Sequence, residues 1–430
     1  MTKLKLDNTV VDTLVIGAGQ AGIATSEHLT ALNVPHIVVE KDRIAERWRS
    51  QRWDSLVANG PAWHDRFPNL QFEELDPDAF PSKERVARYF EEYVEKFSLP
   101  VYTDVTVKQV STLQGEAGYA IETSKGCIKA KRIVCATGPF QKPSIPPIVP
   151  ELTNLKQLHS SHYFNPEQLD SGAVLVVGAG SSGVQIADEI NRSGKKVYLS
   201  VGPHDRPPRS YRGRDFVWWL GVLGKWDAPA AAPDAEHVTI AVSGAHKGIT
   251  IDFRELANNN ITLLGRTHAF TNGTLSFSND LVQNIEKGDE NYLSLLEEAD
   301  AYIEKNGLDL PEEPSAKRIL PQPECMLNPI RELDLAASGI TTIIWATGFK
   351  SDYSWLDLDV FDDKGAPQHQ RGVTALSGIY FVGLPWLSRR GSSFIWGCWH
   401  DAKYIADHIE TQRKYHEYEC HVPEPSVEIA

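Results

Sequence analysis

One glycine pattern occurs twice and constrains this chain more than any other feature: Gly17-Ala18-Gly19-Gln20-Ala21-Gly22, then Gly178-Ala179-Gly180-Ser181-Ser182-Gly183. Each copy follows a β-branched run, Thr13-Leu14-Val15-Ile16 in the first and Val174-Leu175-Val176-Val177 in the second, and each opens a segment with helical apolar spacing. Strand, tight turn and helix in that order begin a βαβ unit that cradles a dinucleotide. The first glycine permits the turn, the second lets the backbone approach a pyrophosphate, and the third lets helix and strand pack closely. The anion then rests at the helix N-terminus, where unpaired N–H groups favour negative charge. Two such units predict two bound dinucleotides, with Ser181 and Ser182 joining the glycines of the second cradle.

The two cradles differ in what closes their second strands. In the first, His36-Ile37-Val38-Val39 ends at Glu40, about the expected 20 residues on, where a carboxylate accepts both ribose hydroxyls of an adenosine and repels a 2′-phosphate. That site suits FAD or NAD. In the second, Lys196-Val197-Tyr198-Leu199 runs into Ser200-Val201-Gly202 with no acid, then into Arg206, Arg209, Arg212 and Arg214. Guanidinium groups near that strand end are what a 2′-phosphate needs, so Arg206 and Arg209 are candidate ligands for NADPH.

The domain plan is a discontinuous outer unit with a second inserted in it. The expected class is α/β, with two Rossmann-like dinucleotide-binding domains for FAD and NADP and a small antiparallel β layer. Residues 1–165 and 335–430 form the FAD domain, and residues 166–334 form the NADPH domain with a long insertion at about 203–332. Tyr89 to Phe97 reads as a helix; the runs around 101–110, 119–123 and 128–133 read as antiparallel strands, with Val107 a candidate cofactor contact. The motif Ala136-Thr137-Gly138 recurs as Ala346-Thr347-Gly348, placing Thr137, Gly138 and Gly348 near the cofactors. Prolines 139, 143, 146, 147 and 150 mark a crossing between domains. The insertion carries Trp218, Trp219 and Trp226 and a small-residue stretch at 228–232, and a last helix is expected from Asp401.

Composition narrows the function. A chain of 430 residues exceeds one core and suits two or three domains. Its net charge of −14, without a basic stripe, argues against nucleic acid and anionic membranes. No apolar run approaches the ~18 residues of a spanning helix, and no signal peptide is visible, which points to the cytoplasm. Cys127, Cys135, Cys325, Cys398 and Cys420 include no closely spaced pair to act as a redox disulfide beside a flavin, and no cysteine–histidine set has zinc spacing.

The arrangement resembles the flavin-containing monooxygenases, the single-component class that includes the indole-3-pyruvate monooxygenases and is related to the Baeyer–Villiger enzymes. The resemblance runs along nearly the whole chain: both glycine loops, the stretch from Trp48 to Asn59, both Ala-Thr-Gly motifs, and the closing Tyr380-Phe381-Val382-Gly383 with Asp401-Ala402. It implies that Trp48 and Gly383 lie against the flavin and that Asn59, the candidate catalytic residue, hydrogen-bonds near its reactive edge. The family fingerprint Phe-x-Gly-x-x-x-His-x-x-x-Tyr is matched only by His159 and Tyr163, with Thr153 and Leu155 where phenylalanine and glycine stand in the family. Tyrosine after the histidine favours the heteroatom-oxidising branch.

The chemistry so implied takes hydride from NADPH to FAD, adds O2 at the flavin C4a carbon, and passes one oxygen from the hydroperoxide to a small nucleophile or activated carbonyl. Water exclusion and hydrogen-bond donors then matter more than acids and bases. Trp386 and Trp396 are candidate substrate walls, and His159 reads as a structural hinge residue. Two other classes stay open: a flavin oxidase or reductase releasing peroxide, and a redox-sensing flavoprotein. A homodimer is compatible with the aromatic insertion.

Overall fold

The computed structural model describes residues 6–152, 154–230 and 238–419. Thr153, Ala231, Ala232 and Cys420, each named above, lie outside them.

The first glycine loop joins a seven-stranded sheet in which Val101–Tyr102, His36–Val39, Thr9–Ile16, Gly126–Cys135, Tyr119–Thr123 and Val107–Thr112 follow in spatial order. Ile379–Phe381 also pairs, in parallel, with the C-terminal end of Gly126–Cys135. That long strand explains why one sheet is both parallel and antiparallel. Over its first half exposed Cys127, Lys129 and Lys131 alternate with buried Ile128 and Ala130, and it pairs antiparallel with Tyr119–Thr123. From Arg132 to Cys135 it is buried without a break, flanked by parallel strands. The expected antiparallel layer is thus an extension of the main sheet.

The second loop joins a five-stranded, all-parallel sheet ordered Ile261–Leu264, Val197–Ser200, Ala173–Val177, Ile340–Trp345, Lys156–His159. Its central strand Ala173–Val177 is buried throughout, as a strand covered on both faces must be. Two of these strands come from segments expected in the outer unit. Lys156–His159 and Ile340–Trp345 both pair into the second sheet, so boundaries at 165/166 and 334/335 cut across it. Hydrogen-bonded register, which motif spacing does not encode, decides the membership.

Helices run longer than their sequence signals. The aromatic helix begins at Lys83, where the Ser82 hydroxyl accepts the Arg85 N–H at 3.2 Å, and extends to Lys96. The last helix is Ile395–Glu419, starting ahead of Asp401. It packs on the first helix, Gln20–Ala31, through a shared core with Ile23, Ala24, Cys398, Ala402 and Ile405. Trp219 and Trp226 are buried core residues. Among the described residues no helix is long and apolar enough to cross a membrane, and no group of three or more His, Cys, Asp or Glu side chains is placed to hold a metal ion.

Candidate active site

The two halves repeat one another down to single atoms. In the first, the Ala136 N–H donates to the Ile16 carbonyl at 2.9 Å; in the second, the Ala346 N–H donates to Val177 at 2.8 Å. Each Ala-Thr-Gly motif therefore ends the strand beside its glycine loop. Gly17 has φ +107°, and a Cβ there would lie 2.7 Å from the Ala136 carbonyl oxygen; Gly178 has φ +109°, and its Cβ would lie 2.5 Å from that of Ala346. A Cβ on Gly22 or Gly183 would fall 1.8 Å from the carbonyl oxygen of Gly17 or Gly178. These four glycines answer to packing.

Gly19 differs, because nothing lies within 4 Å of the position its Cβ would take. It opens on a cleft of about 400 Å3 that gathers Gly17, Glu40, Trp48, Val107, Thr137, Gly138 and Gly383 along its wall. Glu40 is held by two backbone donors, the Ala18 N–H at 2.8 Å and the Asp42 N–H at 3.0 Å. Those bonds keep a carboxylate at the strand end, where a ribose diol would be read. Gln141 donates to both the Thr137 hydroxyl, at 3.0 Å, and the Gly138 carbonyl, at 2.8 Å, tying the motif loop to the rim.

Sequence reasoning missed the cations of this cleft. Arg47 and Arg52 line the same wall as Trp48, bonded to the Gln51 side chain and carbonyl respectively. Among the described residues neither forms an ion pair with a carboxylate. Burial lowers both, Arg52 to about 10, since desolvation penalises a guanidinium; Glu40, Asp42 and Glu46 offset part of this at Arg47, while Arg52 feels the like charge of Arg47. Two such groups in a cleft with an open glycine loop suit a pyrophosphate. Their signal was the arginine-rich run Arg47-Trp48-Arg49-Ser50-Gln51-Arg52, of which Arg49 pairs with Glu91.

The second loop is built alike but covered. Where Gly19 faces open space, the Cβ position of Gly180 lies 3.2 Å from Thr239. The Ser181 hydroxyl donates to the Ile240 carbonyl at 2.9 Å and accepts the Val242 N–H at 3.3 Å, which leaves its backbone N–H as the group it can offer an anion. Ser182, partly exposed, sits in the first turn of the helix Ser181–Arg192. The short segment Thr239–Ile240, paired in parallel with His204–Asp205, thus lies over the cradle.

The arginines proposed for a 2′-phosphate have other partners. Arg206 is 1% exposed and bonds Asp289 at 2.6 and 2.8 Å. Arg209, 4% exposed, bonds Asp215 at 3.0 Å and the Asn59 carbonyl at 2.6 Å. Arg212 pairs with Asp300 and Glu312. Buried and neutralised, Arg206 and Arg209 do not present charge to a coenzyme, a correction to the expectation drawn from their spacing.

Asn59 and Gly348 lie away from the first cleft. The Asn59 Oδ1 accepts from Gln185 on the second-loop helix at 3.0 Å, which joins the Trp48–Asn59 segment to the other unit. The Gly348 carbonyl accepts from His159 Nε2 at 2.8 Å and from the Ser144 N–H at 2.9 Å. His159 is 1% exposed, and desolvation holds its imidazole below the usual range, as befits a structural tie. Tyr163 is equally buried and donates to Glu189 at 2.6 Å. Trp396 packs in an aromatic nest with His64 at 5.4 Å and Trp226 at 5.5 Å, whereas Trp386 is 43% exposed.

Comparison with known proteins agrees with this fold. The profile of the family described as pyridine nucleotide-disulphide oxidoreductase matches residues 14–212. An uncharacterized CzcO-like oxidoreductase of Geobacillus kaustophilus is 36% identical over 93% of this chain and 98% of its own. A probable indole-3-pyruvate monooxygenase, YUCCA1 of Arabidopsis thaliana, is 31% identical over 44% of this chain and 46% of its own. The solved flavin-containing monooxygenase of Stenotrophomonas maltophilia superposes with a TM-score of 0.65 over 94% of this chain and 99% of that one, at 17% identity, a likeness of fold.

Proposed function

The chain belongs with the CzcO-like oxidoreductases to the flavin-containing monooxygenase family, and from that premise we propose which residues hold its FAD and NADPH and what it oxidises. It is a monooxygenase-type oxidoreductase. FAD supplies hydride acceptance and oxygen activation when bound. Glu40 would hold its adenosine ribose, the N–H groups around Gly19 with Arg47 and Arg52 as counter-charges would hold its pyrophosphate, and Val107, Thr137, Gly138 and Gly383 complete the wall. NADPH takes the backbone of Gly180, Ser181 and Ser182. Nicotinamide and isoalloxazine would meet beside Asn59, where Gln185 ties the Trp48–Asn59 segment to the other unit. There Asn59 would donate a hydrogen bond at the reacting edge.

The substrate is a small organic molecule carrying a nitrogen or sulfur nucleophile, or an activated carbonyl. What supports oxygenation over a dithiol relay is the placement of the cysteines: among the described residues all four are free and none lines the cleft.

Anaerobic reduction of the purified protein by NADPH, followed by rapid mixing with oxygenated buffer, tests the reading. A long-lived absorbance transient before the oxidised flavin returns supports oxygen insertion. Direct reoxidation with one peroxide per NADPH favours an oxidase or reductase instead.

A further inference from the structure

We propose that Gln185 is a positioning residue that fixes the Asn59 amide with its NH2 group, and not its oxygen, toward the flavin–nicotinamide junction; this rests on the function proposed above. Gln185 is 8% exposed and its Nε2 donates to the Val242 carbonyl at 2.7 Å and to Asn59 Oδ1 at 3.0 Å. A backbone carbonyl only accepts, so it identifies the nitrogen of the Gln185 amide by chemistry. Reversing that amide would set two oxygens 2.7 Å apart in a buried place.

The second N–H of Gln185 then requires an acceptor, and Asn59 Oδ1 is that acceptor. Both N–H donors of Asn59 are left on the opposite side, where no described residue accepts from them. The main chain is pinned as well: the Asn59 carbonyl accepts from Arg209 at 2.6 Å, and Arg209 is held by Asp215 at 3.0 Å. Asn59 is therefore a preset donor pair, suited to an acceptor oxygen on the flavin edge or the nicotinamide amide. Gln185 touches neither cofactor and acts through Asn59.

The test uses the FAD-loaded protein with NADPH and no added substrate. Gln185→Met removes both donors at nearly constant volume and buries no charge; Gln185→Glu offers only acceptors and turns the Asn59 amide round. For Gln185→Met we expect full FAD content, an unchanged KM for NADPH, a shifted visible flavin spectrum, and wasteful NADPH oxidation to peroxide faster on the order of tenfold. Gln185→Glu should exceed it, and Asn59→Leu should reproduce the spectral shift without adding to it in the double variant. If Asn59→Leu shifts the spectrum and Gln185→Met does not, the positioning role is overturned while Asn59 keeps its place. If neither shifts it, the proposed junction itself fails.

Discussion

Gly19 and Gly22 share one turn and answer to different forces, and substitution separates them. Alanine at Gly22 would drive its Cβ to 1.8 Å from the Gly17 carbonyl, a backbone clash that costs about 3 kcal/mol or more. Gly22→Ala should purify colourless with a depressed Tm, whereas Gly19→Ala should keep the Tm of the flavin-free protein and lose FAD affinity. Full flavin occupancy in Gly19→Ala would remove that loop from the site. His204 gives a second test. Its Nδ1 bonds the Gly202 carbonyl at 3.0 Å, its Nε2 has no partner among the described residues, and burial pushes it down to about 4. The unfolded chain takes up this proton near pH 6.5 while the folded one does not until about 4, so stability rises with pH across that window. His204→Gln should flatten the Tm-against-pH slope there; an unaltered slope would reject the assignment.

At the scale of elements, the arginine-rich stretch after Val197–Ser200 shows how spacing misleads. Read in line, Arg206 and Arg209 flank a strand end as phosphate ligands do. Their counter-ions come from other elements: Asp289 on the long helix Leu281–Asn306, and Asp215, which caps the helix Phe216–Val222 through the Val217 N–H at 2.9 Å. Arg254 shares Asp289, so Arg206→Met would leave a buried network half-built at a cost of about 3 kcal/mol. Chemical denaturation should record that loss while the ratio of KM values for NADH and NADPH stays unchanged. A changed ratio would return Arg206 to the coenzyme site. By contrast, both glycine turns were legible in sequence, because φ values of +107° and +109° and the close approach of Ala136 and Ala346 demand glycine whatever lies elsewhere.

For the whole molecule, two copies of one cradle differ in access. The first opens on a cleft; the second lies under Thr239–Val242, which bonds Ser181 and Gln185. NADP+ must settle beside or displace that segment, so its binding should change amide hydrogen exchange most within 239–242. Protection altered only in the first loop would place the coenzyme elsewhere.

What the sequence determined by itself was local and steric. Two strand–glycine–helix units, the acid at Glu40, the absence of a cysteine pair and the Ala-Thr-Gly repeats are consequences of backbone geometry and short-range chemistry, visible within a few tens of residues. Tertiary structure alone decided which strands join which sheet, which arginines are spent on carboxylates, which are left facing a cleft, and that Gln185 meets Asn59 across the units. Those outcomes depend on pairings between residues far apart in the chain, where burial raises the cost of every unpartnered charge and donor until the fold supplies a partner or a ligand does.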